Sequence, residues 1–288
     1  MNAAVQFDTM PGVSPGVYSA ADFAAVRDIV HSEAGIVLPP GKAMLVYSRL
    51  SPLVRKTGSQ TFANYIAHIR ADDVERRRAI CALTTNHTFF YREAHHFEHF
   101  AKVVRPELLK KLGRREAVRM WSAGCSTGEE TWSLVMTLLG TDRADGMRIA
   151  GQDMLVLATD IATHALQPAE AATYPLEALK PVPAGLRHAW TEEKDGQAML
   201  RDKARQMVRF RHLNLLGGWP MKAKFDVIFC RNVMIYFDQP TKERLVARFV
   251  DQLLPGGHLY IGHSERVTGP AMQKLKIVGP TIYQKVAA

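Results

Sequence analysis

Residues 118–134 read VRMWSAGCSTGEETWSL: a short apolar strand runs into a turn of small residues carrying Gly124 and Gly128, and a helix opens behind it. Strand, glycine turn and helix in that order are how an α/β fold brings main chain up to a nucleotide. Side chains shrink through Ala123, Gly124, Cys125, Ser126, Thr127 and Gly128, which leaves room for a ligand against the backbone. Glu129 and Glu130 occupy the first helical turn. A helix N-terminus carries roughly half a positive charge and attracts phosphate, but two carboxylates placed there repel a pyrophosphate and favour a cation. The turn also lacks the lysine of a phosphate-cradling loop and a full G-x-G-x-x-G. S-adenosylmethionine, with a sulfonium and an amino group, suits it better than NAD or ATP. Read alone, the same residues also serve as a plain strand-to-helix connection.

At 288 residues the chain is long enough for one sizeable α/β domain and a smaller one. No run of about 18 apolar residues occurs. Residues 1–16 are punctuated by Pro and Gly, with neither the basic start nor the apolar stretch of a secretory signal. A soluble, cytoplasmic protein without membrane insertion is expected. Cys81, Cys125 and Cys230 are odd in number and lack metal-type spacing, so neither a disulfide frame nor a zinc site is implied. The net charge of +9 is denser in the front part of the chain, which points to an acidic partner or to an ordinary solvated surface. Nucleic acid is not expected, because no Lys/Arg-rich run with interleaved aromatics is present.

Working outward, two parts are legible. Ser19, Ala20, Ala21 and Asp22 form a capping-box pattern, and Phe23, Val26, Ile29 and Val30 then share one helical face. Further helices are predicted near 42–56, 61–70 and 73–83, giving a small all-helical domain. A longer helix is predicted over 93–112. After residue 118 strands and helices alternate: a strand at 156–159, a helix from Ala162, a strand at 225–230, a helix over 239–253 and a strand at 258–261. That alternation predicts a parallel sheet with helices on both faces. Residues 198–201 and 207–212 break it as short strands joined by charged turns, and are expected to form a small antiparallel insertion.

Three further clusters carry chemistry. Asp160, closing Ala158-Thr159-Asp160, can accept hydrogen bonds from both ribose hydroxyls, and it can equally cap the helix that follows. The apolar strand of FDVIFCRNVMIYF, residues 225–237, releases Arg231, Asn232 and Tyr236 at the edge where open sheets bind ligands. This stretch lacks the Asn/Asp-Pro-Pro-aromatic motif of many amino-group methyltransferases. ALTTNHTFFYREAHHFEHF, residues 82–100, holds four histidines, with His95 and His99 one helical turn apart, but no third ligand, and no metal is expected. Its aromatics suit packing, and Asn86, Thr88 and Arg92 are polar groups interleaved among them just before a helix.

Taken together, the ordered blocks LTTNHTFFYRE, WSAGCSTGEE, ATDI, CRNVMIYFD and LPGGHLYIGHSE resemble the chemotaxis receptor protein-glutamate O-methyltransferase family, CheR, from about Ser19 to Tyr283. The resemblance implies an α/β fold: a Rossmann-like S-adenosylmethionine-dependent methyltransferase domain with a small antiparallel β insertion, preceded by an all-α N-terminal domain. The boundaries it implies are a flexible segment at 1–18, a helical substrate-docking domain at 19–85, a linker and connecting helix at 86–116, and the methyltransferase domain at 117–288 with its insertion at about 188–213.

By the same resemblance Asn86, Thr88 and Arg92 close over the cofactor, with Arg92 near the transferred methyl. Ala123, Gly124 and Glu130 belong to the cofactor loop, and a one-residue shift of register would exchange Glu130 with Glu129. Asp160 takes the ribose, Asn214 and Leu215 lie near the adenine, Arg231 and Asn232 line the cofactor edge nearest the substrate, and Tyr236 faces the incoming carboxylate. The implied product besides the methyl ester is S-adenosylhomocysteine. The implied partners are the cytoplasmic domains of methyl-accepting chemoreceptors, met by a monomeric enzyme through Arg49, Arg55 and Lys56 on a basic helix. Some members also tether to a receptor tail peptide through the inserted sheet; here the loop TEEKDGQAM is short and acidic, which argues against a tether. Two alternatives stay open: a cofactor-binding regulatory protein without transfer activity, and a methyltransferase for another protein or a small acid.

Overall fold

The computed structural model describes residues 13–286. Most of the segment expected to be flexible, positions 1–12, lies outside the described residues. From there positions 14–17 are exposed, but Tyr18 is buried and its hydroxyl donates to the Ala43 carbonyl at 3.3 Å. Two compact units emerge: Met1–Thr85 with Tyr236–Asp238, and Asn86–Ile235 with Gln239–Ala288.

The first unit contains four helices among the described residues: α1 (Ala20–Ala34), α2 (Ala43–Lys56), α3 (Phe62–Ala71) and α4 (Asp73–Leu83). The Ser19 hydroxyl accepts from the Asp22 amide at 3.2 Å, and the Asp22 carboxylate accepts from the Ser19 amide at 2.8 Å, so two orphan donors of the helix start are satisfied reciprocally. Gly35 ends α1 in the left-handed region at φ 68°. Phe23, Val26 and Val30 are buried with Val46 and Leu50 of α2 and Phe62 and Ile66 of α3. Glu75 of α4 is buried, yet its carboxylate accepts from the Tyr65 hydroxyl at 2.9 Å and pairs with Arg78 at 3.0 Å. The segment 236–238 completes this unit: Phe237 bridges Ile36, the Val37 amide donates to the Tyr236 carbonyl, and His31 meets Asp238 at 2.9 Å.

Among the described residues the second unit is built on ten strands. These are β1 (Val118–Ala123), β2 (Met154–Asp160), β3 (Thr173–Pro175), β4 (Thr191–Lys194), β5 (Gln197–Leu200), β6 (Val208–His212), β7 (Phe225–Cys230), β8 (Leu253–Ile261), β9 (Leu275–Gly279) and β10 (Ile282–Lys285). Seven form one sheet in the order β6-β2-β1-β7-β8-β10-β9. The first five run parallel, and β10 lies antiparallel to both β8 and β9. Strands buried along most of their length, such as β1 and β7, read as near-continuous apolar runs because both sheet faces are covered. Trp121 lies at the centre, its indole N–H on the Thr159 hydroxyl at 2.9 Å and its ring against Trp219, Phe225 and Phe249.

Two expectations change. The insertion is a three-stranded antiparallel sheet, β3-β5-β4, so it spans 173–200 rather than 188–213. Residues 208–212 instead pair with β2, from Val156 opposite Val208 to Asp160 opposite His212. Val208 and Phe210 are buried while Arg209, Arg211 and His212 are exposed, the alternation of an edge strand with one covered face. Arg209 and Arg211 fold their guanidiniums back onto the Val208 and Phe210 carbonyls, at 2.9 and 2.6 Å, which blunts that edge. The single helix expected over 93–112 is a run of three: His95–His99, a π-helical turn Phe100–Val104, and Arg105–Gly113. Glu93 stands outside it, at φ 57°.

Candidate functional site

The site forms where β1, β2 and β7 end side by side. Beyond β1 the chain turns through Gly124 at φ 81°, where a Cβ would stand 2.3 Å from Cγ2 of Val233. Only glycine fits there. The Gly124 and Cys125 amides both donate to the Thr159 carbonyl, at 2.8 and 2.9 Å, strapping the loop to the end of β2. Ser126, at φ 50°, donates its amide to Oδ2 of Asp160 at 2.7 Å, and the Ala162 amide donates to Oδ1 at 2.8 Å. Burial pushes the Asp160 carboxyl up, while those two amides work in the opposite direction. A carboxylate offers about four lone-pair sites, so its role as a loop strap leaves acceptor capacity for a hydroxyl.

Gly128, at φ 95°, has no room for a side chain between Ala169 and the Tyr174 hydroxyl of β3, each 2.9 Å from where a Cβ would stand. The Tyr174 hydroxyl donates to the Thr127 carbonyl at 2.7 Å, and its ring meets Phe90 edge-on at 4.9 Å. The small sheet therefore buttresses both the 124–128 turn and the 86–93 linker.

The structure gives the two acids different surroundings. Glu130 points inward: Oε1 accepts from the Ser122 hydroxyl at 2.8 Å and Oε2 meets Nη1 of Arg231 at 3.2 Å. Burial pushes its carboxyl up against those two partners. Glu129 instead accepts from the Thr127 hydroxyl at 2.7 Å, within the loop itself. Burial pushes it up as well.

Of the linker residues, Asn86 is tied in twice: its carbonyl accepts from the Ser126 hydroxyl at 2.9 Å and its amide meets Nε2 of His164 at 3.1 Å. Thr88 is half-buried. Arg92 donates to the His87 carbonyl at 3.1 Å and lies 5.7 Å from the Phe89 ring centre. It makes no ion pair among the described residues. Arg231 is 6 % exposed, and its guanidinium is spent inside the protein on Glu93, Glu130 and the Arg92 carbonyl. Asn232 follows at φ 58°. Asn214 and Leu215 leave β6 beside Asp160, whose carbonyl accepts from the Leu213 amide; the Asn214 side chain accepts from Leu216, and the Leu215 carbonyl from Trp219 and Arg248.

Tyr236 closes the short turn Met234–Tyr236 and clusters with the helical unit, where its carbonyl is the acceptor for Val37. Arg55 and Lys56 are exposed in the last turn of α2. Arg49 is engaged differently: its guanidinium donates to the Leu83 and Thr84 carbonyls and the Thr85 hydroxyl, capping the end of α4.

Sequence reasoning passed over Glu93 and Glu265. Both lie inside quoted blocks, but their importance comes from partners that no local spacing signals. The Glu93 carboxylate meets Arg231, Asn232, His96 and His263, and the Glu265 carboxylate takes main-chain amides around Asn232.

A glycine turn strapped to an acidic strand end, with two further acids in the opening helix and no basic residue between Ala123 and Glu130, fits a cationic nucleoside ligand and not a phosphate. Fold and site define an S-adenosylmethionine-dependent methyltransferase. Residues 86–283 match the family model described as "CheR methyltransferase, SAM binding domain", and residues 21–84 match "CheR methyltransferase, all-alpha domain". The chain belongs to the CheR methyltransferase family.

It is 42% identical to a probable chemotaxis protein methyltransferase of Rhizobium etli, over 89% of this chain and 96% of that one. It is 40% identical to chemotaxis protein methyltransferase 2 of Pseudomonas aeruginosa, over 92% and 93%, and 37% identical to the chemotaxis protein methyltransferase of Escherichia coli, over 92% and 91%. Among the described residues no helix is long and apolar enough to cross a membrane.

Proposed function

We propose that this methyltransferase transfers a methyl group to glutamate side-chain carboxylates on the cytoplasmic domains of chemoreceptors, giving glutamyl methyl esters during chemotactic adaptation. The observation that carries this reading is Arg92, a cation held by one carbonyl and an aromatic face, with no ion pair and with N–H groups left to orient a carboxylate. The names of the relatives supply the setting.

S-adenosylmethionine supplies an electrophilic methyl on a sulfonium; its transfer to a carboxylate oxygen leaves a neutral thioether, S-adenosylhomocysteine. The chain's own work is binding and alignment. A glutamate of ordinary pKa, about 4.3, is already ionised at neutral pH, so no general base is required. Alignment of the reacting atoms and the electrostatic setting then supply the rate. Asp160 is assigned to the ribose hydroxyls, and the turn around Ala123 and Gly124 to close main-chain approach. Asn86, Thr88, Glu129 or Glu130, Asn214, Leu215, Arg231 and Asn232 are assigned to the remaining cofactor contacts, Arg231 through its backbone because its guanidinium is spent.

Arg92 and Tyr236 orient the acceptor. Arg92 must hold it loosely, since a tight ion pair would stabilise the ground-state carboxylate. Arg49, Arg55 and Lys56 are assigned to an acidic receptor surface, Arg49 while also capping α4. Such docking weakens with salt.

The test is incubation with labelled S-adenosylmethionine and receptor cytoplasmic fragments. Base-labile label is expected, with turnover lowered about 10–100-fold in Arg92→Ala, the loss expected of one hydrogen bond to a charged group. Alkali-stable label would overturn the glutamate assignment, and unchanged turnover in Arg92→Ala would remove that residue from the site.

A further inference from the structure

Four residues other than glycine hold positive φ around the strand ends: Tyr91 at 56°, Glu93 at 57°, Ser126 at 50° and Asn232 at 58°. Such conformations persist only where surrounding contacts over-determine them. Ser126 is held by Asp160. For the corner at Arg231 and Asn232, the holders are two carboxylates to which neither motif nor cofactor chemistry gives a task.

Glu93 grips side chains. Oε1 meets Nδ1 of His263 at 2.9 Å and accepts from Nδ2 of Asn232 at 3.4 Å; Oε2 lies 3.2 Å from Nη2 of Arg231 and 3.5 Å from Nδ1 of His96. Glu265 grips main chain. Its Oε2 accepts from the Gly262 amide at 2.6 Å and the Asn232 amide at 3.0 Å, and its Oε1 from the Ile235 amide at 3.2 Å. Glu265 is 5 % exposed, and the Glu93 side chain 10 %. Gly262 lets the two segments close: a Cβ there would stand 2.5 Å from the Asn232 side chain and 2.7 Å from its amide. Arg231 carries the linkage onward by donating to the Arg92 carbonyl.

We infer that Glu93 and Glu265 are positioning residues of methyl transfer, a pair of buried carboxylates that fixes the Arg231 and Asn232 corner and through it the placement of Arg92. The inference rests on the assignment of Arg92 and Asn232 to the transfer site. An acid is required because a carboxylate has acceptors on both oxygens. In Glu265→Gln the amide keeps the shape, but whichever way it turns its NH2 confronts a main-chain N–H. The strained corner must then relax. The cofactor loop on β1 and β2 has its own anchors, so losing the contacts assigned to Arg231 and Asn232 should weaken cofactor binding less than it slows transfer.

The test measures methyl transfer, S-adenosylhomocysteine affinity and hydrogen exchange at the Asn232 and Ile235 amides in the full chain. For Glu265→Gln the expected result is kcat down about 10–100-fold, the range set by losing one charged acceptor. S-adenosylhomocysteine affinity should change far less than kcat, and both amides should exchange faster. Glu265→Asp, which keeps the charge, should recover part of kcat. Glu93→Gln should lower kcat in the same way while leaving the two amides protected, because Glu265 still accepts from them.

A purely structural role predicts a lower melting temperature with wild-type kcat below it, and that result in the folded variants overturns the inference. If Glu265→Gln fails to bind S-adenosylhomocysteine, Glu265→Asp and Glu93→Gln decide by the same criterion. If wild-type enzyme leaves receptor fragments unmethylated, the substrate assignment fails, whereas unaltered exchange at Asn232 and Ile235 in a folded Glu265 variant refutes the clamp itself.

Discussion

Asp160→Asn separates the loop strap that the structure shows from the ribose contact proposed for the same side chain. In the structure both oxygens are engaged by main-chain amides, Oδ2 by Ser126 at 2.7 Å and Oδ1 by Ala162 at 2.8 Å. An amide side chain keeps one acceptor and turns its NH2 towards the other donor. Leaving a buried donor unsatisfied costs about 1–3 kcal/mol of stability, less whatever is regained by no longer burying a charge. Bound cofactor loses more. Hydrogen bonds from two ribose hydroxyls to a charged acceptor contribute about 1.5–3 kcal/mol each, and a neutral amide retains part of that, so a net loss of about 2–3 kcal/mol, or ~30–150-fold in affinity, is expected. The assay is calorimetric titration with S-adenosylhomocysteine alongside unfolding with and without it. At a ligand concentration ~100 times the wild-type Kd, wild type gains about 2.7 kcal/mol from the ligand, and the variant should gain under about 1 kcal/mol. A variant that is less stable yet binds within about threefold of wild type would reduce Asp160 to a strap for the loop and remove it from the ribose.

Two further predictions concern the scaffold. Gly124→Ala combines a positive φ of 81° with a contact of 2.3 Å to Val233, and should lower urea stability by about 2–4 kcal/mol. Gly124→Ala with Val233→Ala should recover part of that loss, and strictly additive effects in the double-mutant cycle would refute the contact as its cause. His258, buried beside His99, has its pKa lowered from 6.5 to about 4, first by burial and then by that neighbour. The folded protein keeps it neutral while the unfolded chain protonates it, so its contribution to stability is lost as pH falls from 6.5 towards 4. Replacing it with Asn should therefore flatten the stability profile in that window by up to about 1.4 kcal/mol per pH unit. Parallel profiles for variant and wild type would show that the group is not protonated on unfolding.

What the sequence makes legible here is what local physics writes into it. Ser19 and Asp22 announce the start of α1 because a capping box is closed within four residues, and Gly124 announces a turn because no other residue takes that φ so near a neighbouring side chain. Residues 207–212 show the limit. Their alternation correctly predicts a half-buried strand, but its partner lies about fifty positions earlier in β2, and proximity in sequence to the β4–β5 hairpin drew it into the wrong sheet.

The acid pair after Gly128 is legible as a pair, but only packing separates Glu130, turned onto Ser122 and Arg231, from Glu129, turned onto Thr127. Glu93 and Glu265 are less visible still. A carboxylate whose partners include amides 30, 33 or 139 positions away leaves no periodicity behind. Arg49 carries the same lesson, since its hold on the carbonyls ending α4 reaches 34 and 35 positions along the chain.

Tyr174 gives the small sheet a mechanical meaning. Its hydroxyl rests on the Thr127 carbonyl, its ring rests on Phe90, and Gly128 leaves no gap between them. A displacement of β3 is thus delivered to the 124–128 turn through one hydrogen bond and to the 86–93 linker through one ring contact. Trimming the 173–200 excursion would leave that turn unsupported, because the excursion is the back wall against which it is wedged.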